Sequence, residues 1–191
     1  MDGYYNKILS EHLSIFNKLS VLEDKVNNIS DIIHNSFKKS GKLLLCGNGG
    51  SAGDSQHIAA EFIGRFEIER GPLPAIALST DSSVITCLSN DYDYDQIFSR
   101  QIQALGNAND CLLAISTSGN SKNIINAIET ANKIGITTIG LLGNEGGKAI
   151  NLCKHNITIS SHKTARIQEA HIFILHSICG IIDRKIVNNN L

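Results

Sequence analysis

Residues 43–66 read LLLCGNGGSAGDSQHIAAEFIGRF. The stretch begins as an apolar run, Leu43-Leu44-Leu45-Cys46, and passes through Gly47-Asn48-Gly49-Gly50-Ser51. It continues with helical spacing through Gln56, His57, Glu61 and Arg65. Strand, glycine-rich turn and helix put free backbone N–H groups and the positive end of a helix dipole at one point, where a phosphate can sit. His57 and Glu61 are four apart and share one helix face. The stretch alone predicts a phosphate-bearing ligand beside an acid–base or metal-binding pair. It is not G-x-G-x-x-G, and no Gly-Lys-Ser/Thr follows, so neither the dinucleotide fingerprint nor the P-loop applies. A plain strand-to-helix turn, with glycines for geometry and an exposed ion pair beyond it, is the competing reading.

Working outward, the same strand-then-helix rhythm recurs. Ala75–Leu78, Cys111–Ile115, Thr137–Leu142 and Asn156–Ile159 read as further strands. Helices are expected from Asp81 to Leu88, over Asp95–Leu105, Lys122–Ile134 and Lys148–Cys153, and over Thr164–Val187. Strands alternating with helices mean βαβ units and a five-stranded parallel sheet covered on both faces. Residues 4–39 form two amphipathic helices that break near Ser20, an extension suited to subunit packing. No linker, low-complexity run or repeat interrupts residues 1–191, so a single domain is expected.

Composition narrows the function. Lys and Arg total 17 against 18 Asp and Glu, which argues against broad nucleic-acid binding. No run reaches the length of a membrane span, and the charged first residues lack the apolar core of a signal peptide. Five cysteines without CxxC spacing read as reduced, mostly buried thiols, and a cytoplasmic location is expected.

Two further constellations carry chemistry. Ser116-Thr117-Ser118-Gly119-Asn120-Ser121 follows a strand, precedes a helix and offers four hydroxyls in six residues. That suits a phosphate held without lysine or metal, whereas a helix cap would need one Ser. In the last helix, Gln168 and His176 stand in an apolar segment with Ile172, Phe173, Leu175 and Ile178 as expected core. His176 reads there as a core histidine or a ligand.

Four blocks in order, CGNGGSAGDSQHIAAEFIGRF (46–66), ALSTDSSVITCLSNDYDYDQIFSRQI (77–102), AISTSGNSKNI (114–124) and ARIQEAHIFILH (165–176), resemble the sugar isomerase (SIS) family. Within it they resemble the bacterial phosphoheptose isomerases. Gly53 departs from the family pattern, which has Ala there. The resemblance implies a three-layer α/β SIS fold. It implies a ketose–aldose isomerase that converts sedoheptulose 7-phosphate to D-glycero-D-manno-heptose 7-phosphate through an enediol, for lipopolysaccharide core or capsule. It further implies Glu61 as base and His176 as acid–base, with the phosphate moved from Gly47–Ser51 to Ser116, Thr117, Ser118 and Ser121. Asn48, Gly49, Gly50, Ser51, Glu61, Asn90, Asp91 and Gln168 would contact the sugar. His57, Glu61, Gln168 and His176 would hold one zinc ion per subunit, in a homotetramer with sites at subunit interfaces. Related non-catalytic scaffolds of the DnaA initiator-associating type, and isomerases of other sugar phosphates, are the alternatives. Glu61, Gln168 and His176 favour an enzyme.

Overall fold

A computed structural model describes residues 3–188. Five strands, β1 (Leu43–Gly47), β2 (Ala75–Ala77), β3 (Cys111–Ser116), β4 (Thr137–Gly143) and β5 (His155–Ile159), form one sheet in the order β2-β1-β3-β4-β5. Every pairing is parallel, with Leu43 opposite both Ala75 and Cys111, and Cys111 opposite Thr137. β1 and β3 are buried along their whole length, as a strand covered on both faces must be.

Side chains alternate between two cores. Leu43, Leu45, Leu113 and Ile115 face one core with α2 (Glu23–Lys38), α3 (Gly50–Ile63) and α7 (Thr164–Asn188). Leu44, Cys46, Leu112 and Ala114 face the other, with α5 (Ser99–Leu105) and α6 (Lys122–Ile134). The expected three-layer α/β architecture is present, with α1 (Tyr4–Phe16) ahead of it and α4 (Ser82–Asp91) after β2. Among the described residues, no helix is long and apolar enough to cross a membrane.

Three expectations change in detail. The single helix over Asp95–Leu105 splits into a 3-10 turn, Tyr94–Gln96, and α5. The Asp93 carboxylate accepts the Asp95 N–H at 2.9 Å and starts a separate turn there. Phe173 is exposed rather than core. A helix turning about 100° per residue cannot bury Ile172, Phe173, Ile174 and Leu175 together, and Ile174 and Leu175 take the inner face. In α1 no residue is fully buried, and only its last turn reaches the core, where Ile15 and Phe16 pack half-buried against it.

The strand order reverses between β1 and β3, where one connection leads outward to β2 and the next to β4. Ligands in open α/β sheets bind at this switch point, outside the carboxyl ends of the strands. The segments leaving β1 and β3 there are Asn48–Ser51 and Thr117–Ser121.

Candidate active site

β1 ends at Gly47, and Asn48 carries the chain into α3. Gly49 adopts φ +56°, a conformation that favours glycine. At Gly50 a Cβ would overlap the Gln168 amide, so the Gln168 side chain lies directly over this loop. Ser51 is buried under the first turn, and its carbonyl accepts the Ser55 hydroxyl at 2.8 Å. Asn48 and Asn123 exchange amide hydrogen bonds at 2.9 and 2.8 Å across the switch point. Tyr94 donates its hydroxyl to Asn48 Oδ1 at 3.2 Å. The pair ties the β1 loop to the first turn of α6. Asn123 and Tyr94 stand outside the sequence-based site although both lie in the quoted blocks, because their roles come from a pairing with Asn48 that the fold creates.

The hydroxyls after β3 divide into two uses. Ser116 Oγ accepts the Gly119 N–H at 3.0 Å, and Ser118 Oγ accepts the Asn120 N–H at 3.2 Å. These two build the turn. Ser121 is the N-cap of α6 but makes no side-chain cap bond. Thr117 and Ser121 therefore offer hydroxyls at a helix start, where the dipole favours an anion. Asn90 and Asp91, at the exposed end of α4, bond to one another at 2.8 Å. Neither bonds to the loops; Tyr94, a few residues on, is the residue of this segment that does.

A second group lies further along α3. His57 Nε2 is 2.8 Å from His176 Nε2 on α7 and 3.6 Å from Glu61 Oε1. Phe66 stacks on the His176 ring, with centroids 5.2 Å apart. The seam between the two helices is locked beyond this group. Arg70 and Asp183 form an ion pair at 2.8 Å, with both side chains almost wholly buried. Arg70 also donates to the Glu61 and Phe62 carbonyls at 2.9 and 2.7 Å, which caps the end of α3. Asp183 accepts the Glu67 and Ile68 N–H groups. Glu61 and His176 are thus held in fixed register.

Asp54 lies on α3 between the two groups and was missed from sequence. Its Oδ2 is buried without a hydrogen-bond partner. Burial pushes its carboxyl pKa up, against the pull of His57 and His176. An orphaned buried oxygen is costly, and a catalytic role or a bound water or ion is among the things that account for one.

The two groups stand at different heights along α3. Glu61 is eleven residues beyond Gly50, about 16 Å along an ideal helix. α3 runs back from the carboxyl edge of the sheet, and its Phe62 carbonyl accepts from Leu73 N beside the start of β2. The zinc expectation can be set against the donors present. Two imidazole nitrogens and a carboxylate oxygen converge, a donor set zinc accepts. Gln168 stands apart over Gly50, and among the described residues no group of three or more His, Cys, Asp or Glu side chains is tight enough to hold a metal ion.

Residues 4–143 match the model of the SIS domain family. A phosphoheptose isomerase of Aliarcobacter butzleri is 47% identical over 180 residues, 94% of this chain and 95% of that protein. The solved phosphoheptose isomerase of Neisseria gonorrhoeae superimposes with a TM-score of 0.89 at 38% identity, covering 94% of this chain and 97% of the other. That of Francisella tularensis does so with a TM-score of 0.91 at 36% identity, covering 94% and 96%. The match to the family model, these identities and the shared fold agree: the chain belongs to the SIS domain family and, within it, to the phosphoheptose isomerases, a group of aldose–ketose isomerases.

Proposed function

We propose that the chain converts sedoheptulose 7-phosphate to D-glycero-D-manno-heptose 7-phosphate, supplying ADP-heptose for lipopolysaccharide core or capsule in the cytoplasm. The observation that carries the proposal is the group of Glu61, His57 and His176 on the α3–α7 seam. Ketose–aldose isomerisation moves a proton between adjacent carbons and another between their oxygens, so it needs a base and an acid–base partner. Glu61 takes the proton from the carbon beside the carbonyl and returns it to the neighbouring carbon, through an enediol. His176 moves the proton between the two oxygens, and His57 orients it by the shared hydrogen bond. Thr117 and Ser121 bind the phosphate at the start of α6, in a turn that Ser116 and Ser118 hold. Asn48–Ser51, Asn90, Asp91 and Gln168 line the sugar. Zinc held by His57, Glu61, Gln168 and His176 would polarise the sugar carbonyl.

The separation of the two groups supports a shared site. A helix run of about 16 Å exceeds the length of a small sugar phosphate, so the phosphate loop of one copy works with Glu61 and His176 of another. A homotetramer supplies that arrangement. The surface suits it, with exposed Tyr4, Tyr5 and Phe173 and an apolar groove of about 510 Å³ between α7 and the helices before β1. A scaffold without catalysis would have no use for a carboxylate beside paired imidazoles. Product analysis after incubation with a panel of ketose phosphates tests the reading. Heptose phosphate from the seven-carbon ketose alone supports it, and turnover of a pentose or hexose phosphate instead would replace the substrate.

A further inference from the structure

The loop after β4, Gly143-Asn144-Glu145-Gly146-Gly147, interlocks with the turn that follows β3. Asn144 donates its amide to the Thr117 carbonyl at 2.9 Å. Ala149 N donates to the Gly119 carbonyl at 3.0 Å. The Ser118 carbonyl accepts from the Asn120 side chain at 3.1 Å, and that side chain is held in turn by Lys148 N at 3.1 Å. Three successive carbonyls of the anion turn are therefore satisfied by segment 144–149 or by a group that the segment holds. The two backbones also touch. A Cβ on Gly119 would overlap the Gly146 carbonyl, and one on Gly147 would come within 2.5 Å of the Ser118 oxygen. Both glycines adopt positive φ, so the packing and the conformation demand the same residue.

Asn144 itself adopts φ +53°, one of two such non-glycine residues among those described. Asn tolerates this region better than other side chains, though at a cost. Its backbone N–H donates to the Ser161 carbonyl at 3.2 Å, and its Oδ1 lies 2.9 Å from His162 Nδ1. The Thr117 carbonyl can only accept, which fixes the Asn144 amide toward it and its oxygen toward His162. His162 consequently carries its proton on Nδ1. A chain of hydrogen bonds runs from the segment between β5 and α7, through Asn144, into the turn.

An anion site must turn its carbonyl lone pairs away from the ligand and leave N–H and hydroxyl groups facing it. We propose that Asn144 is a positioning residue for phosphate binding. It draws the Thr117 carbonyl to the far side of the turn, with segment 146–149 as the template for the next two carbonyls and His162 as its support. The inference rests on the assignment of the substrate phosphate to Ser116–Ser121.

Calorimetric binding of inorganic phosphate, together with KM and kcat for sedoheptulose 7-phosphate, tests it. Asn144→Gly keeps the positive φ and removes both side-chain bonds. It is expected to weaken phosphate binding and raise KM about tenfold, the scale of one hydrogen bond to a buried carbonyl, with kcat within about twofold. His162→Ala, an exposed change that leaves the core intact, should move both in the same direction by a smaller factor. Unchanged phosphate binding and KM in Asn144→Gly, or a fall in kcat alone, would overturn the inference. If Ser121→Ala still weakened phosphate binding in that case, the turn would keep its role and only Asn144 would lose its own. Absence of phosphate binding by the wild-type protein would overturn both.

Discussion

The Nε2 atoms of His57 and His176 face each other at 2.8 Å across the seam between α3 and α7. One nitrogen donates and the other accepts, so a single proton lies between them. Both nitrogens, with Glu61, are donors that a divalent cation accepts once the shared proton is gone. Elemental analysis of the purified protein is expected to find zinc near one equivalent per chain, and His57→Ala should lose most of it. Wild-type protein that is metal-free and fully active would remove zinc from the account.

Ser121 caps α6 without using its hydroxyl, which leaves that group for the ligand. Ser121→Ala should raise KM about 10- to 150-fold, since a hydrogen bond to a charged oxygen contributes on the order of 1.5–3 kcal/mol. Steady-state kinetics checks this. A loss of kcat with unchanged KM would argue against phosphate at the turn.

The distance from Gly50 to Glu61 predicts complementation. Glu61→Gln and Ser121→Ala chains, each impaired alone, should recover part of the activity when unfolded together and reassembled, because mixed assemblies contain sites that carry neither change. Activity no higher than the average of the two separate variants would place the whole site within one chain.

His171 is fully buried on α7, and its Nε2 donates to the Leu142 carbonyl at 3.1 Å while Nδ1 has no partner. Burial pushes its pKa from the usual 6.5 down to about 4. The unfolded chain therefore binds more protons than the folded one between these values, and stability rises with pH across that window. His171 contributes fully above about pH 6.5, and its contribution, on the order of 3 kcal/mol, is lost as pH falls through about 4. Denaturation midpoints from pH 4 to 7 should show a shallower acid decline in His171→Gln than in wild type.

The strands were legible because parallel strands buried on both faces read as continuous apolar runs, as in Leu43–Cys46 and Cys111–Ile115. The hydroxyl turn was legible because its residues are neighbours in sequence. The pairing of His57 with His176 spans 119 residues, and neither helix's spacing announces it. It was reached through family resemblance, and spacing alone read the His57–Glu61 pair as an exposed helix pair. Asp54, Asn123 and Asn144 were not legible at all, for each takes its meaning from what the fold sets opposite it. Phe173 failed for the converse reason: four apolar neighbours on one helix cannot share a face, and sequence does not say which is left outside.

The central claim is that Glu61 performs the isomerisation. Its most direct test is the amount of aldose heptose 7-phosphate formed from sedoheptulose 7-phosphate by wild type and by Glu61→Gln at equal concentration. Steady conversion is expected from wild type and a loss of about 100- to 10,000-fold in the variant, with assembly unchanged by light scattering. Full conversion by Glu61→Gln would contradict it.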